Sequence, residues 1–396
     1  MAAKYQLITE LYQRTGKMLT RNPQAWQNFL SSACRNYKCR FDEQLLIYAQ
    51  RPDAVAVTTI EVWNKLFKRW VNKDSKGIAV FDTKGRRNTL KYYFDVSDTH
   101  EGYYGSRPVP IWQMNGRYEQ AVIERLSDRF GGAGNGGLAE VLMETAKNAV
   151  EDNLQDYTAQ LKSCVKDSFL EELDDYNIEV MYRELATNSV AYMLMARCGI
   201  DTAEYFDRED FGAVVNFNTP QTLNAIGIAT SDIAEMALRE ISLSIRNVQM
   251  AEKGQNRTFA QQDQNHYDVG RTQPERSEIM SEITYTKQGD YLIPDLTLPT
   301  EPEIQLGRYA LMHRDYLEKH KRVTYLNLLT SGELNTHLHQ TEQAALQRLE
   351  LLTKQLASEQ GVTEELKEKA PMQWLGLMNN IRSQAEEVIL TELIYS

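Results

Sequence analysis

Between Ala54 and Phe94 the apolar pattern changes period, and this change constrains the fold more than any other feature of the chain. The runs Ala54–Thr58, Arg69–Asn72, Ile78–Phe81 and Thr89–Phe94 are short and rich in Val, Ile, Tyr and Phe. Lys76-Gly77 and Lys84-Gly85 break them, the composition of strands joined by tight turns. Ile60–Phe67 keeps a short helical pattern between the first two runs. Upstream, Leu7, Leu11, Met18, Trp26, Phe29 and Leu30, then Leu45, Leu46 and Ile47, recur at near-helical spacing until Arg51-Pro52 supplies a stop. Helical spacing resumes from Pro108 to Met250. Within it Asp232-x-x-Glu235 has the form of a capping box ahead of Ala234, Leu238, Ile241 and Ile245. A small sheet set between helical stretches predicts an α+β fold.

With 396 residues, the chain exceeds the size at which one core keeps growing, so more than one domain is expected. The pattern divides it into a helical and small-sheet domain over 1–110, a helical region over 111–250, a linker over 251–279 and a mainly helical domain over 280–396. The linker is rich in Gln, Asn and Arg and has no apolar period. The last domain opens with a hairpin over Ile283–Leu292, Gly289-Asp290 near its tip. Leu334, Leu338, Ala345, Leu349 and Leu352 then mark one helix face, and Trp374, Met378, Ile381, Ala385 and Val388 another, as antiparallel partners in a bundle would.

Charge is distributed unevenly. Residues 1–91 carry 17 Lys and Arg against 7 Asp and Glu, a net +10, whereas 92–279 carry −15 and 280–396 carry −6 within a chain of net −11. Attraction to a polyanion acts over about a Debye length, ~8–10 Å, so the local balance governs. In the basic segment cations alternate with Trp63, Phe67, Trp70, Tyr92 and Tyr93, which suits a single-strand binder: cations follow phosphates and ring faces take bases. The expected contacts are Arg51, Lys68, Arg69, Trp70, Lys73, Lys76, Arg86, Arg87, Lys91 and Tyr93. Trp63 and Phe67, four apart on the short helix, are expected to pack on the sheet.

Catalytic constellations are absent from the sequence pattern. None of the six histidines begins a His-Glu-x-x-His zinc motif, and Gly16-Lys17 lacks the upstream glycine of a phosphate loop. Gly132–Gly137 has dinucleotide-fingerprint spacing but follows a helical run rather than a strand. His337-x-His339 would point about 200° apart on a helix. Glu171-Glu172-x-Asp174-Asp175 reads as a solvated acidic face. Cys34, Cys39, Cys164 and Cys198 are too scattered for a disulfide framework and read as reduced structural thiols. No enzyme, cofactor or metal is therefore expected. No apolar run approaches about 18 residues, so a cytoplasmic protein without a membrane partner is expected.

Two resemblances follow. Gln44-Leu45-Leu46-Ile47, Ala49-Gln50-Arg51-Pro52, Ala56-Val57, Trp63 and Lys76-Gly77-Ile78-Ala79-Val80 make Phe41–Asp82 resemble the N-terminal domain of ArdC-type antirestriction proteins. The same stretch is similar to the start of the large helicase/methylase proteins of conjugative elements. The catalytic motifs of those families are missing. Residues 280–396, with Gly289-Asp290-Tyr291-Leu292-Ile293-Pro294, Leu329-Thr330-Ser331-Gly332, Gly361-Val362-Thr363 and Gly376-Leu377-Met378-Asn379-Asn380, resemble the transposon-encoded protein TnpV. Together these imply a mobile-element protein with single-stranded DNA as its expected partner. Two alternatives stand beside this: an anti-defence protein whose acidic residues 140–240 mimic DNA toward a host nuclease, and a fused interaction module without a DNA role.

Overall fold

A computed structural model of the chain describes residues 2–83, 89–103, 105–132, 136–255, 285–294 and 306–395. The fold is α+β and mostly helical, with short antiparallel sheets. It divides into two compact units. The first comprises Met1–Thr83 and Thr89–Pro299, and the second carries Thr300–Ser396.

In the first unit, helices α1 (Ala2–Leu19), α2 (Pro23–Ala33) and α3 (Phe41–Gln50) lead into β1 (Val57–Thr58). The short helix α4 (Ile60–Val62) follows and continues as a π-turn over Trp63–Phe67. Strands β2 (Arg69–Val71), β3 (Ile78–Asp82), β4 (Thr89–Asp95) and β5 (Thr99–Glu101) complete the region. β1, β4 and β3 form one sheet in that order, and β2 pairs with β5 as a separate ribbon. β5 has no sequence signal: Thr99, His100 and Glu101 are polar and join the ribbon through backbone pairing with Val71, Trp70 and Arg69.

Every residue of α3 is buried. Its polar groups are correspondingly satisfied inside the protein, as buried amides must be. Gln50 donates to the carbonyl of Ala79 at 2.8 Å and accepts from its N–H at 2.9 Å, so a side chain acts as a strand partner for β3. Gln44 accepts from Ser231 at 2.8 Å. Phe41 lies against Gly227, where a Cβ would collide with its ring.

Helices α5 (Gly116–Phe130), α6 (Leu138–Asp152), α7 (Leu154–Lys162), α8 (Asp175–Cys198) and α9 (Pro220–Gln255) belong to the same unit as the sheet. The sequence pattern separates 1–110 from 111–250, but buried hydrogen bonds join them. Trp26 Nε1 donates to Ser189 Oγ at 2.8 Å and the Tyr12 hydroxyl to Asn224 at 2.6 Å. α9 is one continuous helix, so Asp232 and Glu235 do not cap it. Buried Leu223, Ile226 and Ile228 carry the helical period upstream, and Asp232 accepts instead from the Tyr157 hydroxyl. Ala234, Leu238, Ile241 and Ile245 are buried on one face, as their spacing predicts. Ala251–Gln255, assigned to the linker from composition, finish α9, and 256–279 lie outside the described residues. The Gly132–Gly137 run stands between α5 and α6, with 133–135 outside the described residues.

The expected hairpin forms from β6 (Tyr285–Gln288) and β7 (Tyr291–Pro294). Gly289, with φ of 63°, opens its two-residue turn, a position that needs a residue without a Cβ. By compactness it belongs to the first unit, not with the helices that follow it.

The second unit consists of α10 (Arg308–His320), α11 (Arg322–Ser331), α12 (Leu334–Glu359), α13 (Glu364–Lys369) and α14 (Pro371–Ile389), closed by a π-turn over Leu390–Ile394. α12 and α14 run antiparallel: Gln360 meets Gln384 while Arg348 meets Glu392. Leu334, Leu338, Ala345 and Leu349 are buried on α12, and Leu352 is half-buried. On α14 the buried face runs Ile381, Ala385, Ile389. Val388, which the sequence pattern included, is exposed because the face advances by four rather than three.

Candidate nucleic-acid interface

The ten residues expected from sequence fall into three groups. Four are engaged within the protein. Lys91 and Tyr93 stand two apart on β4, hence on one face. Both donate to Glu43 Oε1, at 2.7 and 2.9 Å, and Lys91 also lies 5.0 Å from the Tyr93 ring centroid. Burial alone would raise the Glu43 pKa, but Lys91 and Arg40 beside it hold the carboxyl below its usual range. Burial and the same carboxylate push the Tyr93 hydroxyl up. Tyr93 is thus half-buried in an internal network rather than presented as a stacking face. Arg51, which ends α3, pairs with Asp98 and donates to Ser97 at 2.8 Å. Arg69 donates from Nε to the Thr99 hydroxyl at 2.7 Å and from Nη2 to the Thr99 carbonyl at 3.0 Å.

The second group is exposed. Trp70 keeps 42% of its surface although it sits in the middle of β2. Its ladder partner is His100 on β5, so the two side chains share the outer face of the ribbon. Asn72, two residues on, belongs to that face, and its Oδ1 lies 2.7 Å from His100 Nδ1. Under the indole stands Gly102, where any side chain would run into the ring. The bare backbone of Gly102 leaves the room that the indole occupies. Lys68 and Lys73, both exposed, stand at opposite ends of β2. Lys68 takes a left-handed φ of 56°, while its carbonyl accepts from Gly102 N–H at 3.4 Å. Exposed Lys76 sits 4.8 Å from the Tyr285 ring centroid. The third group, Arg86 and Arg87, lies outside the described residues.

Trp63 and Phe67 pack as expected. Trp63 is 1% exposed and donates to the Phe94 carbonyl at 2.9 Å, and its ring centroid lies 5.2 Å from that of Phe67. The grouping of His100 and Asn72 with Trp70 is not legible in the sequence, since only the β2–β5 register brings them together.

Among the described residues, no three or more His, Cys, Asp or Glu side chains are grouped to hold a metal ion. A pocket of about 230 Å³, including its open mouth, lies between α1 and the start of α9. Its enclosed part has room for about one water and not for a small-molecule ligand. Among the described residues no helix is long and apolar enough to cross a membrane.

Against known proteins, no curated sequence and no solved structure matches the chain. Residues 284–394 match a family described as transposon-encoded protein TnpV, a segment that takes in both the hairpin and the helices of the second unit.

Proposed function

We propose that the β2–β5 ribbon is a sequence-tolerant single-stranded DNA platform in a non-catalytic protein of a mobile element. In this reading Trp70 stacks on a base while Lys68, Lys73 and Lys76 neutralise phosphates. His100 and Asn72 offer polar edges beside the stacked base. The observation that carries the reading is the exposed Trp70 over Gly102, flanked by exposed lysines. Every base has a π-face, so such a platform tolerates any sequence. The resemblance of Phe41–Asp82 to ArdC-type proteins supports the DNA role. The TnpV match supports a transposon association.

The test is fluorescence anisotropy of the full chain with labelled oligo-dT and duplex DNA across a salt series. Three phosphate contacts give a slope of log K against log salt near −2 for single strands. Trp70→Ala should weaken binding, and Trp70→Phe should recover part of it. Unchanged affinity in a folded Trp70→Ala protein removes the ribbon from the interface.

A further inference from the structure

The TnpV match and the compact units disagree about residues 285–294. By sequence the hairpin belongs with the helices of the second unit, but it is packed in the first. Its nearest described neighbours along the chain are Gln255 and Leu306. Its contacts with the first unit are those a bound peptide would make.

Those contacts are of the strand-addition kind. Leu292 N–H donates to the Ser75 carbonyl at 3.0 Å, and Gly77 N–H donates to the Leu292 carbonyl at 2.9 Å, making a parallel bridge with Lys76 at the approach to β3. Asp74 N–H adds a bond to the Asp290 carbonyl at 2.6 Å. Ile293 is buried with Trp63, Val71 and Phe94, and Tyr291 lies 5.5 Å from the Phe94 ring. Outside the apolar contact, Lys287 Nζ meets Asp74 Oδ1 at 2.6 Å and Lys76 lies over Tyr285. Gly77 packs closely there, since a Cβ would lie 3.3 Å from Phe94 and 3.4 Å from Ile293. Main-chain bonds supply affinity in such a mode, and alternate side chains supply specificity.

We infer that the edge at residues 74–77, with the recess formed by Trp63, Val71 and Phe94, is a receptor for a TnpV-type hairpin, and that the hairpin of a separately made TnpV-family polypeptide docks there in trans. The ligand it selects is a two-residue-turn hairpin with an aromatic-x-aliphatic second strand, Tyr291-Leu292-Ile293 here, and a lysine on the first strand opposite Asp74. The inference does not rest on the DNA-binding reading of the ribbon.

The probe is a fluorescent, cyclised peptide of residues 283–295, titrated by anisotropy into the intact full-length chain and into a full-length Tyr291→Ser/Ile293→Asp chain. The disabled chain should bind the peptide. The intact chain should bind at least tenfold more weakly, because its own hairpin competes at an effective concentration on the order of millimolar. Asp74→Lys in the disabled chain should weaken binding, and a peptide carrying Lys287→Glu should restore it. No binding by a disabled chain that keeps its helical circular dichroism and cooperative unfolding overturns the inference, as does equal binding to both chains. Should Ile293→Asp unfold the first unit, Leu292→Pro replaces it, removing the N–H donated to Ser75 while keeping both core side chains. Unfolding of this variant too overturns the inference, since a groove that cannot stand empty cannot receive a hairpin in trans.

Discussion

Trp63 and Trp70 lie seven residues apart in one basic stretch, and the surroundings of the two could hardly differ more. Trp63 is enclosed by the sheet with its indole N–H bonded to Phe94, whereas Trp70 lies open on a two-stranded ribbon. The same division separates the cations: Lys91 is bound to Glu43, 48 residues upstream, while Lys68 and Lys73 face solvent. A net positive segment is thus not a positive surface. Its cations divide into those engaged within the protein and those that face solvent.

The largest expected effect lies on the buried side. Trp63→Ala should destabilise the first unit by about 3–5 kcal/mol, read as a shifted urea midpoint, because it opens a cavity and orphans the Phe94 carbonyl. Glu43→Ala removes the acceptor shared by Lys91 and Tyr93 and should cost about 1.5–3 kcal/mol. The folded pKa of Glu43 is depressed, so its contribution is present above the unfolded value near ~4.3 and is lost as pH falls through the folded value. Glu43→Gln should therefore flatten the acid side of the stability profile.

On the open side the ranking of stability and binding inverts. Trp70→Ala should cost about 1–3 kcal/mol in single-strand affinity, with stability changed by no more than about 0.5 kcal/mol. If urea and anisotropy measurements show the reverse, the division between a structural Trp63 and a binding Trp70 is broken. Lys68→Gln and Lys73→Gln should each shallow the salt slope by about 0.7, which Lys91→Gln should not do in a folded protein.

The second unit supplies a different case, a pair of imidazoles. His313 is buried, its Nδ1 lies 2.8 Å from the Ile394 carbonyl and its Nε2 lies 3.3 Å from Nε2 of His337. Burial and the neighbouring His313 lower the His337 pKa. A depressed histidine favours the neutral form in the fold, so stability is held above the unfolded value near ~6.5 and declines as pH falls below it. Thermal unfolding followed between pH 7.5 and 5.5 should show this slope in the native chain and less of it in His337→Gln.

What could be read from sequence follows from the range of the interactions involved. β3, β4 and the hairpin announce themselves through β-branched and aromatic runs bounded by turn residues, and the buried faces of α9 and α12 through their period. β5 could not be read, because three polar residues become a strand only by pairing with β2. Asp232 imitates a cap because its neighbours have the right chemistry, yet the helix starts twelve residues earlier, at Pro220. At the candidate interface, a spacing of two puts Lys91 and Tyr93 on one face of β4. It could not show that a glutamate from α3 faces them. His313 and His337 meet only because α10 and α12 pack together.

The complete burial of α3 also bears on how this protein can be divided. A helix with no solvent face depends on what surrounds it, and part of its cover is Gly227 of α9, nearly two hundred residues along the chain. A fragment ending at residue 110 keeps the candidate ribbon but leaves Phe41 and Gln44 without their partners. Such a fragment should associate through that uncovered surface and give a false report of the ribbon's behaviour. The smallest honest sample of the interface therefore extends through α9 and the hairpin, to Pro294.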